Sequence, residues 1–188
     1  MKANKIAIFA SGNGSNALNI IEYFKNDSRI EVAFVFTNNK NAGIIEAAEK
    51  LGVKVLVCNN LDAENSNFLI ELCEKEAISF VVLAGYLRKI PEDFVAHFPN
   101  KIINIHPALL PKYGGAGMYG AHVHRAVLEN KEKETGITIH FVNSEYDKGE
   151  QIAQFSCQLT EIESVESIQE KIHALEMEHF PKVLETVF

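Results

Sequence analysis

The chain has three cysteines, no basic run longer than two residues and no apolar stretch of membrane-spanning length. Each absence closes off a class of protein. Cys58, Cys73 and Cys157 are odd in number, far apart and set among apolar neighbours, with no C-x-x-C or zinc-type spacing. That excludes a disulfide scaffold or zinc ribbon and predicts reduced thiols in a cytoplasmic protein. With a net charge of −7 and no basic face, a broad nucleic-acid footprint is excluded. A small anion held by a local nest of backbone N–H groups is not. The lack of long apolar runs argues against a membrane span, and Met1–Lys5 is expected to lead directly into the first strand. No internal repeat or low-complexity tract interrupts the chain. Its 188 residues suit one substantial core and are few for two.

What is present is an alternation. Ile6–Ala10, Val32–Thr37, Val53–Val57, Phe80–Ala84 and Lys101–Ile105 read as strands that are apolar throughout. Helical spacing falls between them at Ser15–Phe24, Ile44–Leu51 and Asp62–Glu76. Fully apolar strands separated by amphipathic helices predict an α/β fold, a Rossmann-like three-layer arrangement around a mostly parallel sheet. After His106 the pattern changes to a glycine-rich stretch (107–121), a short helix near His122–Glu129 and strands at Gly136–Val142 and Ile152–Leu159. Ser164 is placed to cap a last helix, with Glu166 in its first turn and a stripe of Val165, Ile168, Ile172, Leu175, Val183 and Val187. No linker appears, which predicts a single domain over 1–188 with a mononucleotide-binding half (1–105) and a completing half (106–188).

Two segments could carry chemistry. In Lys101–Pro107, Asn104 and His106 lie two residues apart and face one side of a strand that Pro107 ends. They are either a polar cap on a sheet edge or an oxyanion donor beside a proton-handling imidazole. The turn Ser11-Gly12-Asn13-Gly14-Ser15-Asn16 resembles a phosphate-binding turn but lacks both the G-x-G-x-x-G register and the P-loop G-K-[ST] ending. Single-phosphate binding and a plain strand–helix turn both remain open. Asp147, in a glycine-punctuated loop, is a turn former or the carboxylate partner of His106. His122 and His124 read as structural or rim residues because no H-E-x-x-H spacing completes a metal site. His140 reads as a near-core histidine able to brace the site. Glu176 borders the apolar stripe of the last helix, where a carboxylate needs a partner.

Taken together, Gly12–Asn16, Leu83-Ala84-Gly85-Tyr86-Leu87-Arg88, Asn104-Ile105-His106-Pro107-Ala108-Leu109-Leu110-Pro111, the Asp147 loop and Glu176–Pro181 resemble the phosphoribosylglycinamide formyltransferases. The resemblance implies formyl transfer from 10-formyltetrahydrofolate to the amine of 5-phosphoribosylglycinamide in purine synthesis, with no metal. By that similarity Asn104, His106 and Asp147 are catalytic. Gly12, Asn13, Gly14 and Ser15 hold the acceptor's phosphate, and Glu176 its ribose hydroxyls. Leu87, Arg88, Ile90, Asn143, Ser144, Glu145 and Tyr146 line the folate pocket. The same resemblance implies small-molecule partners only, with neither nucleic acid nor membrane, and a monomer or weak homodimer. The segment Lys112–Ala121 departs from the shorter lysine-aromatic-proline-glycine form that many members carry. A formyltetrahydrofolate deformylase, a methionyl-tRNA formyltransferase and a nucleotide sensor are the rival expectations.

Overall fold

A computed structural model describes residues 3–188, so Met1 and Lys2 of the expected N-terminal lead-in lie outside the described residues. The described residues divide into two compact units, one running to Asn104 and taking in Phe188, the other Ile105–Val187.

In the first unit the apolar runs form β1 (Asn4–Phe9), β2 (Ile30–Thr37), β3 (Val55–Val57), β4 (Phe80–Leu83) and the start of β5 (Ile102–His106). All pair in parallel: β1 with β2 and β4, β2 with β3, and β4 with β5. Ile6, Ile8, Phe9, Phe34, Phe36, Val81 and Val82 are fully buried, as strands covered on both faces require. Each such side chain contributes roughly 1.5–3 kcal/mol of burial. Phe9 stacks on Phe36 with ring centroids 4.5 Å apart. Strand order reverses between β1 and β4, so the turn leaving β1 opens at the position where ligands bind in open α/β sheets.

The helices of this unit are α1 (Ser15–Phe24), α2 (Ile44–Lys50), α3 (Asn60–Ala63), α4 (Ser66–Lys75) and α5 (Glu92–His97). The single helix expected over Asp62–Glu76 is two. Asn59 forms a capping box with Asp62, and Asn65 accepts the Phe68 N–H and starts a new helix. Val53 falls in the turn before β3, its N–H donating to the Ala48 carbonyl.

In the second unit, α6 (Ala121–Glu129) precedes an antiparallel hairpin of β6 (Glu134–Phe141) and β7 (Gln151–Gln158), and α7 (Val165–Val187) follows. Ser164 caps α7, its Oγ accepting the Ser167 N–H at 3.1 Å. The buried stripe of α7 is Ile168, Ile172, Phe180, Val183 and Leu184, whereas Val165, Leu175 and Val187 are only half-buried. Glu176 borders that stripe, with its side chain 15% exposed. The strand order over the whole sheet is β3-β2-β1-β4-β5-β6-β7, a mostly parallel α/β sheet flanked by helices, as the sequence predicts.

Candidate active site

Strand β5 carries Asn104 and His106 two positions apart, hence on one side. His106 is 3% exposed. Its Nε2 lies 2.8 Å from the Tyr113 carbonyl oxygen, which can only accept, so Nε2 carries a proton and donates it there. The other ring nitrogen, Nδ1, faces Asp147 Oδ2 at 3.6 Å. Asp147 sits in the β6–β7 connection at φ 55, a left-handed conformation that aspartate tolerates better than most residues. Its Oδ2 accepts the Gly115 N–H at 2.8 Å, and its Oδ1 is 3.7 Å from His140 Nε2. His140 is also buried, and its Nδ1 donates to the Phe141 carbonyl at 2.8 Å. The carboxylate is thus bracketed by two imidazoles, each pinned through its far nitrogen to a backbone carbonyl. At 3.6 and 3.7 Å both rings stand beyond hydrogen-bond distance of the Asp147 carboxylate.

Burial pushes the His106 imidazole below its ordinary range, outweighing the opposing pull of Asp147 and of the Tyr113 carbonyl, and His140 lowers it further. Burial alone would raise the Asp147 carboxyl. The His140 side chain, the charge on His106 and the Gly115 N–H together bring it below the ordinary value instead. With Nε2 committed to the Tyr113 carbonyl, the neutral ring leaves Nδ1 as the nitrogen open to a proton, facing the Asp147 carboxylate. Asp147 favours the charged imidazole, and burial opposes it more strongly.

Backbone from the glycine-rich segment approaches this pair closely. A Cβ on Gly114 would meet Leu110 Cδ2 at 2.5 Å and Asp147 Cβ at 3.2 Å, so only glycine lets the loop lie against the carboxylate. The stretch after His106 is braced from β6. Thr138 Oγ1 accepts the Leu110 N–H at 3.0 Å and the Gln154 amide at 2.9 Å, and donates to the Ala108 carbonyl at 2.7 Å.

In the first unit, the Gly12–Ser15 turn leads into α1. Gly14 occupies the N-cap at φ 75, and no side chain caps the helix. The N–H groups of the first turn thus lack a side-chain cap and suit an anion. A Cβ on Gly14 would also overlap the Ile44 side chain at 2.5–2.7 Å. Ser11 ties the turn to its neighbours: its Oγ accepts the Leu87 N–H at 3.2 Å, and its carbonyl accepts the Asn39 amide at 3.0 Å.

The remaining expected residues are more dispersed. Leu87 is exposed, Arg88 pairs with Glu64, and Ile90 is 5% exposed within the core. In the β6–β7 loop, Asn143 accepts the Glu145 N–H and donates to the Lys148 carbonyl, while Ser144 and Tyr146 are exposed. Glu176 Oε2 lies 3.9 Å from His173 Nδ1. His122 is exposed, whereas His124 is buried rather than at a rim. Among the described residues no cluster of His, Cys, Asp and Glu is arranged to hold a metal ion, and no helix is long and apolar enough to cross a membrane. Sequence reasoning missed Tyr113 and Gly115, which act through backbone atoms. The glycine density of 114–120 was their only signal.

A family model described as formyl transferase matches residues 4–184, which defines the class as an enzyme of formyl-transfer type. The phosphoribosylglycinamide formyltransferase of Escherichia coli is 35% identical over 184 residues, 95% of this chain and 84% of its own length. The chloroplastic enzyme of Arabidopsis thaliana is 41% identical over 177 residues, 91% of this chain and 61% of its own length. The chain spans only 61% and 62% of the two chloroplastic relatives. The crystal structure of the Streptococcus pneumoniae phosphoribosylglycinamide formyltransferase superposes with a TM-score of 0.86 at 32% identity, covering 98% of this chain and 99% of that one. The chain belongs to the phosphoribosylglycinamide formyltransferase family.

Proposed function

We propose that this protein transfers the formyl group of 10-formyltetrahydrofolate to the amine of 5-phosphoribosylglycinamide. The carrying observation is the part-buried Asp147 carboxylate facing His106 Nδ1 at 3.6 Å, with His106 on the same strand as Asn104. The named similarity of the relatives supports the choice of substrates.

In this reading the neutral amine attacks the formyl carbon and negative charge develops on the formyl oxygen. The Asn104 amide donates an N–H to that oxygen. The new C–N bond leaves the former amine nitrogen positively charged, and it releases a proton to neutral His106 at Nδ1. The imidazolium so formed is stabilised by Asp147, which stays ionised. Collapse of the intermediate breaks the bond between the formyl carbon and folate N10, and the proton passes to N10, so atoms and charge balance. No water has to be made nucleophilic, and the formyl donor is already activated, so the chemistry requires no metal.

Gly12, Asn13, Gly14 and Ser15 hold the acceptor's phosphate, and Glu176 its ribose hydroxyls. Leu87, Arg88, Ile90 and Asn143–Tyr146 serve the folate. The protein works in the cytoplasm as one formyltransferase domain over 1–188, a monomer or weak homodimer. Folate turnover with and without 5-phosphoribosylglycinamide tests the reading. Turnover that needs the acceptor is expected. Acceptor-independent turnover would make the protein a deformylase, and binding of phosphoribosyl ligands without turnover would make it a sensor.

A further inference from the structure

The glycine-rich segment touches the acid–base pair at two backbone atoms. The Tyr113 carbonyl takes the His106 Nε2 proton, and two residues later the Gly115 N–H is given to Asp147, both at 2.8 Å. Whatever fixes residues 113–115 therefore fixes both members of the pair. Tyr113 itself is at φ 56, a left-handed conformation that costs a side-chain-bearing residue roughly 1–2 kcal/mol. Such a conformation persists only where the surroundings over-determine it.

The surroundings that do so lie at the other end of the side chain. The Tyr113 hydroxyl donates to Glu132 Oε1 at 2.8 Å, and Lys112 Nζ contacts the same oxygen at 2.9 Å. Glu132 is in the connection between α6 and β6, where its own N–H donates to the Val127 carbonyl at 3.3 Å. Its carboxylate is half-buried, while the Lys112 side chain is mostly exposed. We propose that Tyr113 and Glu132 form a positioning couple: the hydroxyl–carboxylate bond anchors the glycine-rich segment so that its carbonyl holds the His106 ring with Nδ1 turned to Asp147. This assignment rests on the formyl-transfer reading for its kinetic consequence but not for its geometric one.

The electrostatics agree with the direction of the bond. Burial and the Glu132 contact push the Tyr113 hydroxyl up to about 12, so it stays a donor across the working range. Lys112 and then Tyr113 keep the Glu132 carboxyl below its ordinary value, so it stays an acceptor. Neither residue needs to touch a substrate. Their effect on the reaction runs through His106.

The test uses Tyr113→Phe, Glu132→Ala, Glu132→Gln and Lys112→Met in the full chain, with two readouts. Steady-state formyl transfer should show kcat lowered on the order of tenfold to a hundredfold in Y113F and E132A, as for a misplaced catalytic group, with both KM values within about twofold of the parent. E132Q keeps an oxygen for the hydroxyl, and K112M removes a mostly exposed partner of Glu132 while leaving the Tyr113 bond, so each should retain kcat to within about threefold. Independently of any substrate, NMR of the parent should show a solvent-protected His106 Nε2 proton, assigned by its loss in His106→Asn. That proton should exchange at least about tenfold faster in Y113F and E132A, because the carbonyl no longer holds it.

Parent-like kcat in both truncations overturns the proposal, as does unchanged protection of the Nε2 proton. A failure of both to fold would also overturn it, since a positioning role demands a folded, slow enzyme. Should the parent transfer no formyl group at all, the functional reading falls, and the exchange measurement alone decides the couple.

Discussion

Replacing Asp147 by asparagine removes one charge and little else. The amide oxygen can still accept the Gly115 N–H, and the side chain keeps its shape in the left-handed turn. What disappears is the attraction between the carboxylate and the imidazolium formed at His106 when the amine gives up its proton. With the groups 3.6 Å apart, that attraction is about 4–5 kcal/mol at an effective dielectric of roughly 20. Asp147 is only 11% exposed, so solvent and salt screen little of it. If all of it is felt in the transition state, Asp147→Asn lowers kcat on the order of a thousandfold. Because the attraction exists only once the proton has moved, both KM values should stay within about twofold of the parent.

The pH profile offers an independent reading of the same variant. Catalysis needs His106 neutral at Nδ1, so kcat/KM falls on the acid side as that nitrogen is protonated in the free enzyme. Burial already holds the imidazole below its ordinary value, and Asp147 is the largest influence pulling it back up. Without the carboxylate the acid limb must move to still lower pH. Steady-state formation of the deformylated folate over a pH series measures both quantities. Turnover within about threefold of the parent, or an acid limb that does not move, would refute the assignment of Asp147 as the counter-charge.

Asn104→Ala removes an oxyanion donor and should lower kcat about a hundredfold to a thousandfold while circular dichroism and melting stay parent-like; a near-normal rate would contradict it. Gly14→Ala forces a Cβ into a left-handed residue and against Ile44. The expected loss is about 1–3 kcal/mol, seen as a Tm lowered by roughly 3–10 °C, together with a raised KM for the phosphorylated acceptor. His124 is 4% exposed and is pushed below its ordinary value by burial and then by His106. Below about pH 6.5 the unfolded chain therefore binds a proton that the folded chain refuses, so stability falls as pH drops from that value toward the folded one. His124→Leu should flatten the decline in Tm between pH 7 and pH 5, and an unchanged slope would refute the linkage.

Much of the fold is legible because burial on both faces leaves a plain mark. The runs that became β1, β2, β4 and β5 could hardly be anything else once helical spacing lay between them. The misses have local causes. Asn65 looks like a tolerated helix residue, yet it caps a helix of its own and splits the expected one, while Asn59, ahead of the expected start, caps the short α3. Helix α5 is six residues long with Phe94 and Val95 buried, too short to show a period, although Pro91 followed by Glu92 and Asp93 is a helix-start signal. In the site, Asn104 and His106 are readable because they are two apart on one strand. Asp147 is 41 residues beyond His106, and no local pattern encodes that meeting. The Tyr113 carbonyl and the Gly115 N–H are harder still, since every residue carries those groups and the side-chain alphabet is blind to them.

The Thr138 hydroxyl has a consequence for assembly. Its three partners, Leu110, Ala108 and Gln154, lie 28, 30 and 16 positions away along the chain. Two of the bonds close the segment after His106 onto β6, and the third ties β6 to β7, so each needs stretches of chain far apart in sequence to have met first, at a cost in loop entropy. The proton-handling pair thus owes its place to long-range closures rather than to any one helix or strand.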